Sequence, residues 1–159
     1  METAAEFFDQ IPAKASRARD LRAMIAAAGA VGGSRPDAIH ASGGGACDRV
    51  LGEIEATERR RAKLAAIEAE LDEARAIIEG VRAGLGDKHA EAMTQRYLKP
   101  PRTSRAATSY RIVAARLGVT PRVARYRVLT ALAWLDSNGP RRVADLAAGL
   151  DVALVTAAA

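Results

Sequence analysis

Alanine constrains this chain more than any other residue type. The 159 residues include 37 Ala, against 36 Ile, Val, Leu, Phe and Met taken together. Alanine is the strongest helix former, yet it brings little apolar volume to a core. Aromatic residues make up only 4%. A β-sandwich or barrel needs many more β-branched and aromatic residues, and a large ligand pocket needs bulkier lining. The composition predicts an all-α protein of slender helices and modest cores.

Other classes drop out for separate reasons. A single cysteine, Cys47, allows no internal disulfide and no thiolate zinc cluster. No run approaches the ~20 apolar residues of a membrane span. The opening METAAEFFDQ lacks the basic-then-apolar order of a signal peptide. The expectation is a soluble protein of the cytoplasm with no membrane contact.

Charge is more informative split than summed. The whole chain carries +5. Residues 1–46 hold 5 positive and 5 negative side chains, residues 47–90 hold 8 and 10, and residues 136–159 hold 2 and 3. Residues 91–135 hold 9 positive and 1 negative, a net +8. All the excess positive charge lies in that one segment, which points to a polyanionic partner.

A helix is expected from residue 3 to 28. Thr3 and Glu6 have capping-box spacing. Pro12, which has no N–H to donate, is expected to kink this helix or start a second one. Phe7, Phe8, Ile11, Leu21, Met24, Ile25 and Ala28 supply an apolar stripe. Two glycine clusters in 29–46, on either side of Ser34-Arg35-Pro36-Asp37, read as a loop. A phosphate-binding loop is rejected, because no Gly-Lys-Ser/Thr follows and no strand precedes.

The longest helical signal covers residues 48–84, with Asp48 as expected N-cap. Leu64, Ile67, Leu71, Ala74, Ile78 and Val81 alternate spacings of 3 and 4, an a/d seam. Val50, Leu51 and Ile54 extend the apolar face upstream. Glu55–Arg59, Asp72–Arg75 and Glu79–Arg82 are spaced as helical ion pairs. The first helix covers part of this seam as a hairpin, and a second copy of the chain is expected on the rest. Leu64, Ile67, Leu71, Ile78 and Val81 are therefore the candidate homodimer residues. Arg59-Arg60-Arg61, with acidic neighbours, reads as a solvated helix face.

Gly84-Leu85-Gly86-Asp87 should end the long helix, and residues 88–98 form a short one. Lys99 to Arg105 is a basic loop broken by Pro100 and Pro101. Next comes the densest local signal, SYRIVAARLGVTPRVARYRVLTALAWL over 109–135. Val113, Ala114 and Leu117 stripe a short helix. Gly118 stands where a tight turn needs positive φ, and Val119 tucks into the junction. Thr120 is an N-cap and Pro121 follows at the first helical position. Ala124, Val128, Ala131, Leu132 and Leu135 fall on one face of the next helix. This is the pattern of a helix-turn-helix.

Arg122, Arg125 and Tyr126 lie off that stripe in the first turns of the second helix, where such units read base edges. The planar fork of arginine pairs with guanine O6 and N7. Arg102, Arg105, Arg111 and Arg116 lie on the loop and first helix, where phosphate contacts are expected, and Thr120 marks a helix N-terminus that favours phosphate. Arg127 departs from the pattern, since it falls three residues after Ala124 where an aliphatic is usual. Either Val128 takes that packing or the arginine stem does.

The chain resembles phage late-operon transcriptional regulators of the RinA/ArpU kind, whose C-terminal unit is similar to region 4 of bacterial sigma factors. The resemblance rests on Gly43-Gly44-Gly45-Ala46-Cys47-Asp48-Arg49-Val50 before the long charged helix, and on Ile112-Val113-Ala114 and Leu117-Gly118-Val119. Ala124 in place of a larger aliphatic and the basic stretch 99–108 depart from it. The resemblance implies promoter-type binding of double-stranded DNA and activation of phage genes. RNA polymerase is the further partner such a regulator would meet, although these residues assign no surface to it.

The expected organisation is a helical hairpin over 1–84, a helix-turn-helix domain over 87–136 and a helical tail over 137–159. Val143-Ala144-Asp145-Leu146-Ala147 and Leu150-Asp151-Val152 faintly echo a second such unit, and packing is the preferred reading. His40 and His89 stand without ligand or catalytic neighbours in sequence, and Cys47 without a positioned base. The residues therefore suggest no enzyme, no cofactor and no metal. Two alternatives to a regulator stay open. One is a DNA-packaging subunit of the small-terminase kind. The other is an adaptor whose basic face binds an acidic protein.

Overall fold

A computed structural model describes residues 3–32, 45–101, 104–140 and 143–144, with side chains given outside 30–32 and 45–49. Among them are five α-helices and no strand, an all-α fold. The helices are α1 (Ala4–Gly32), α2 (Gly45–Leu85), α3 (Asp87–Met93), α4 (Tyr110–Leu117) and α5 (Pro121–Asn138). α3 runs on as a wider π-helical turn, Thr94–Leu98.

The capping box forms at the start of α1. The Glu6 backbone N–H donates to Thr3 Oγ1 at 3.2 Å, and the Thr3 N–H donates to Glu6 Oε2 at 2.8 Å. These bonds hold the Glu6 carboxyl below its ordinary value, the backbone bond from Thr3 being the largest cause. α1 then continues through Pro12 as one helix, so Pro12 does not start a second one. Proline in a helix interior costs ~3 kcal/mol. Here its neighbours Phe8 and Ile11 are fully buried, and burying each offsets roughly 1.5–3 kcal/mol of that cost.

Both ends of the expected glycine loop are helical. α1 runs to Gly32 and α2 begins at Gly45, which places Asp48 inside the first turn instead of at the cap. Residues 33–44, with His40 and the first two glycines of the glycine-rich match, Gly43 and Gly44, lie outside the described residues.

The chain packs as two compact units, each taking a stretch of α1 and of α2. One comprises residues 1–16 and 70–159, the other 17–69. This division falls within helices, not at the boundary expected near residue 84. The smaller unit is lightly packed. Ala18 and Leu21 are buried, whereas Met24, Val50, Leu51 and Ile54 are about half exposed. Arg22 bonds Glu68 through Nε at 3.1 Å. An open groove of about 600 Å³ runs past Met24, Ala28, Gly52, Ala56 and Arg60.

The larger unit holds the main core. Leu71, Ala74, Ile77, Ile78 and Val81 of α2 are buried there, as are Ala90, Met93 and Tyr97. The seam expectation is corrected accordingly. Leu71, Ile78 and Val81 are covered within the chain's own fold, so a second copy has no access to them. Leu64 and Ile67, in the smaller unit, are only half-buried. The ion pairs read from spacing all form: Glu55–Arg59, Asp72–Arg75 and Glu79–Arg82.

Two glycines let other elements approach α2 closely. A Cβ on Gly84 would sit 2.5 Å from the Trp134 ring of α5, and one on Gly80 would run into the Val143 carbonyl. Val143 is fully buried. Residues 145–159, which include the rest of the second echo, lie outside the described residues. Asp136 near the end of α5 accepts a 2.7 Å bond from the Ala4 N–H and so joins the capping of α1.

Candidate nucleic-acid interface

The helix-turn-helix signal is realised residue by residue. Gly118 ends α4 in the left-handed conformation, with φ 62° and ψ 33°, and its N–H donates to the Ala114 carbonyl. The Val119 N–H also donates to Ala114, at 3.0 Å. Thr120 caps α5, its hydroxyl accepting from the Val123 N–H at 3.4 Å, and Pro121 stands at the first turn. Val113, Ala114 and Ala124 form a small buried core with Leu117 and Val119 packed against it. α5 packs on both α3 and α4, so three helices carry the unit.

The core side of α5 is the stripe read from spacing: Ala124, Val128, Ala131, Leu132 and Leu135 are all buried. The Arg127 question is resolved by Val128, which is fully buried while Arg127 is half-buried. Ala124 is fully buried in that small core beside Val113 and Ala114 of α4.

Arg122, Arg125 and Tyr126 are all exposed, Tyr126 to 66%. They share the side of α5 turned away from its core. Arg105 and Arg111 are exposed as well. Arg116 lies against the preceding loop, its Nη1 donating to the Lys99 carbonyl at 2.8 Å and to Gln95 Oε1 at 3.3 Å. Arg102 lies outside the described residues. Among the positions described in α4 and α5 up to Leu135, no carboxylate interrupts this surface.

One organising residue was not anticipated. Arg96, in the π-turn, places its guanidinium 4.0 Å from the Tyr110 ring centroid and 5.3 Å from that of Tyr97. Its Nη1 donates to the Thr108 carbonyl at 2.8 Å, and the Thr108 N–H donates back to the Arg96 carbonyl at 2.8 Å. Thr108 is buried and its hydroxyl bonds the Lys99 carbonyl at 3.4 Å. This clamp fixes the basic loop where it enters α4. The sequence signal was an arginine next to one aromatic, Tyr97, with a second, Tyr110, beyond the loop, but only the fold brings Tyr110 over it. Tyr97 is itself buried beside Phe8, with ring centroids 5.3 Å apart. Burial raises its phenol above the ordinary 10.0, opposed by the Arg96 guanidinium.

Among the described residues no group of three His, Cys, Asp or Glu is placed to hold a metal ion, and no helix is long and apolar enough to cross a membrane. His89 faces the Leu85 carbonyl through Nδ1 at 3.1 Å, a role at the end of α2. Compared with known proteins, the chain matches no family model, no curated protein and no solved structure.

Proposed function

We propose that this protein is a sequence-specific regulator of transcription that binds double-stranded DNA through the major groove. The observation that carries this reading is α5: a capped helix seated on α4 by a left-handed glycine, with Arg122, Arg125 and Tyr126 bare on its outer side. That is the arrangement by which a recognition helix presents its first turns to base edges. The net +8 of residues 91–135 supplies the phosphate attraction. Arg122 and Arg125 are assigned to guanine, and Arg102, Arg105, Arg111, Arg116 and the α5 N-terminus at Thr120 to the backbone.

The resemblance to RinA/ArpU regulators supports a phage or prophage role in the cytoplasm of a bacterial host, with RNA polymerase as a further partner. We assign homodimer formation to the half-exposed Met24, Val50, Leu51 and Ile54 of the smaller unit, together with the partly buried Leu64 and Ile67.

Selection of bound fragments from random duplex DNA tests the reading. A motif is expected to enrich at moderate salt. Arg122→Ala and Arg125→Ala should each weaken binding by roughly 1–3 kcal/mol and relax one position of that motif. Unchanged affinity and specificity in the double variant would overturn the assignment. Mass in solution adds a second check, because a ring of many copies would favour a packaging role over a regulator.

A further inference from the structure

α5 carries more on its outer side than arginine. Leu129 is 47% exposed and Tyr126 66%. Neither is surplus from the core, because Ala124, Val128, Ala131, Leu132 and Leu135 already fill the inner side and are buried. At 3.6 residues per turn, Leu129 stands two turns beyond Arg122 and one turn beyond Arg125 and Tyr126, on the same face. Leu129 and Tyr126, with Val123 exposed to 38% in the first turn, thus stand bare in an arginine surface with no carboxylate between Glu91 and Asp136. That charge selects a polyanion as the occupant of the face.

A DNA duplex offers one apolar group in its major groove, the thymine 5-methyl. Leu129 lies ~10 Å along the axis from Arg122, within the roughly 12 Å width of that groove. We propose that Leu129, aided by Tyr126, reads a thymine methyl beside the guanines taken by Arg122 and Arg125. The target then contains thymine at fixed positions, and the protein distinguishes thymine from uracil there. This inference rests on the major-groove reading proposed above.

The test uses the full chain and the fragment that enriches from a random thymine-containing duplex pool. Each thymine is replaced singly by uracil, which removes the methyl and keeps the pairing. One or two positions should lose affinity about fourfold, the worth of one buried methyl-sized group, and the loss should persist as salt is raised. In Leu129→Ala the thymine duplex should bind only as well as the uracil duplex does at one of those positions. Leu129 is a half-exposed helix position, so this variant keeps the fold.

If replacing guanine N7 by carbon weakens binding while no uracil does, groove reading stands and the thymine inference falls alone. If no fragment enriches, the functional reading falls and takes the inference with it. If Leu129→Ala changes the mass in solution but leaves the uracil difference intact, the face is a contact between proteins and the inference is overturned.

Discussion

Gly118 is the residue on which the candidate interface turns. Its φ of 62° lies in the left-handed region, and a Cβ added there would meet nothing within 4 Å. Backbone conformation alone therefore explains glycine at this position. An L-residue held there costs about 1–2 kcal/mol, and a stiffer unfolded chain returns about 0.4–1 kcal/mol. Gly118→Ala should thus destabilise by about 1 kcal/mol, read as a lower urea midpoint with unchanged slope. Asn at the same position should cost less, because it tolerates this conformation. A stability equal to or above that of the parent protein in both variants would remove the turn from the argument. Tyr97 gives a pH test at the same scale. Its phenol is raised above 10.0 by burial, so its contribution is complete below pH 10.0 and is lost as pH rises through the higher folded value. The alkaline limb of a denaturation series should flatten in Tyr97→Phe. A limb unchanged by that substitution would show that Tyr97 does not couple to folding.

Among the elements, α2 shows how one glycine differs from another. Gly84 meets the Trp134 ring, whereas a Cβ on Gly52 would meet nothing within 4 Å. Alanine gains about 1 kcal/mol over glycine in a helix interior. At Gly84 that gain opposes an overpacking cost of typically about 1–3 kcal/mol. Gly84→Ala should therefore lower the melting temperature and Gly52→Ala should raise it, the latter by the equivalent of about 0.5–1 kcal/mol. A rise in both would mean that Trp134 does not rest on α2. The four-residue spacing of Gly80 and Gly84 was visible in the sequence, but it signals only that something comes close. Trp134 and Val143, which fill the space, lie fifty or more residues away. The seam on the same helix behaved alike. Its period announced a face to be buried, and Leu71, Ile78 and Val81 are buried. A period does not say whether the cover comes from the same chain or from another copy.

For the molecule as a whole, the distribution of charge sets how it should meet DNA. About four phosphate contacts per chain give a slope near −0.9 for each in log affinity against log salt. Raising salt from about 50 to about 200 mM should then cost on the order of a hundredfold in affinity. A flat titration would contradict the polyanion reading, whichever bases are contacted. The concentration of charge in 91–135, the capping box at Thr3 and Glu6, the ion pairs of α2 and the Gly118–Thr120–Pro121 turn were all legible in the sequence. All but the first depend on groups within about four residues of one another, so neighbouring side chains and backbone torsions suffice to specify them, while the charge is a simple sum over its segment. The sequence also determined which side of α5 is buried, because helical period leaves one choice. Only the tertiary structure decided that Pro12 is carried through a continuous α1, that Arg96 clamps Thr108 under Tyr110, and that four of the six seam residues are consumed inside the chain. These outcomes compare burial energies between segments distant in sequence. Such a comparison is made by shape and proximity after folding, and no local pattern contains it.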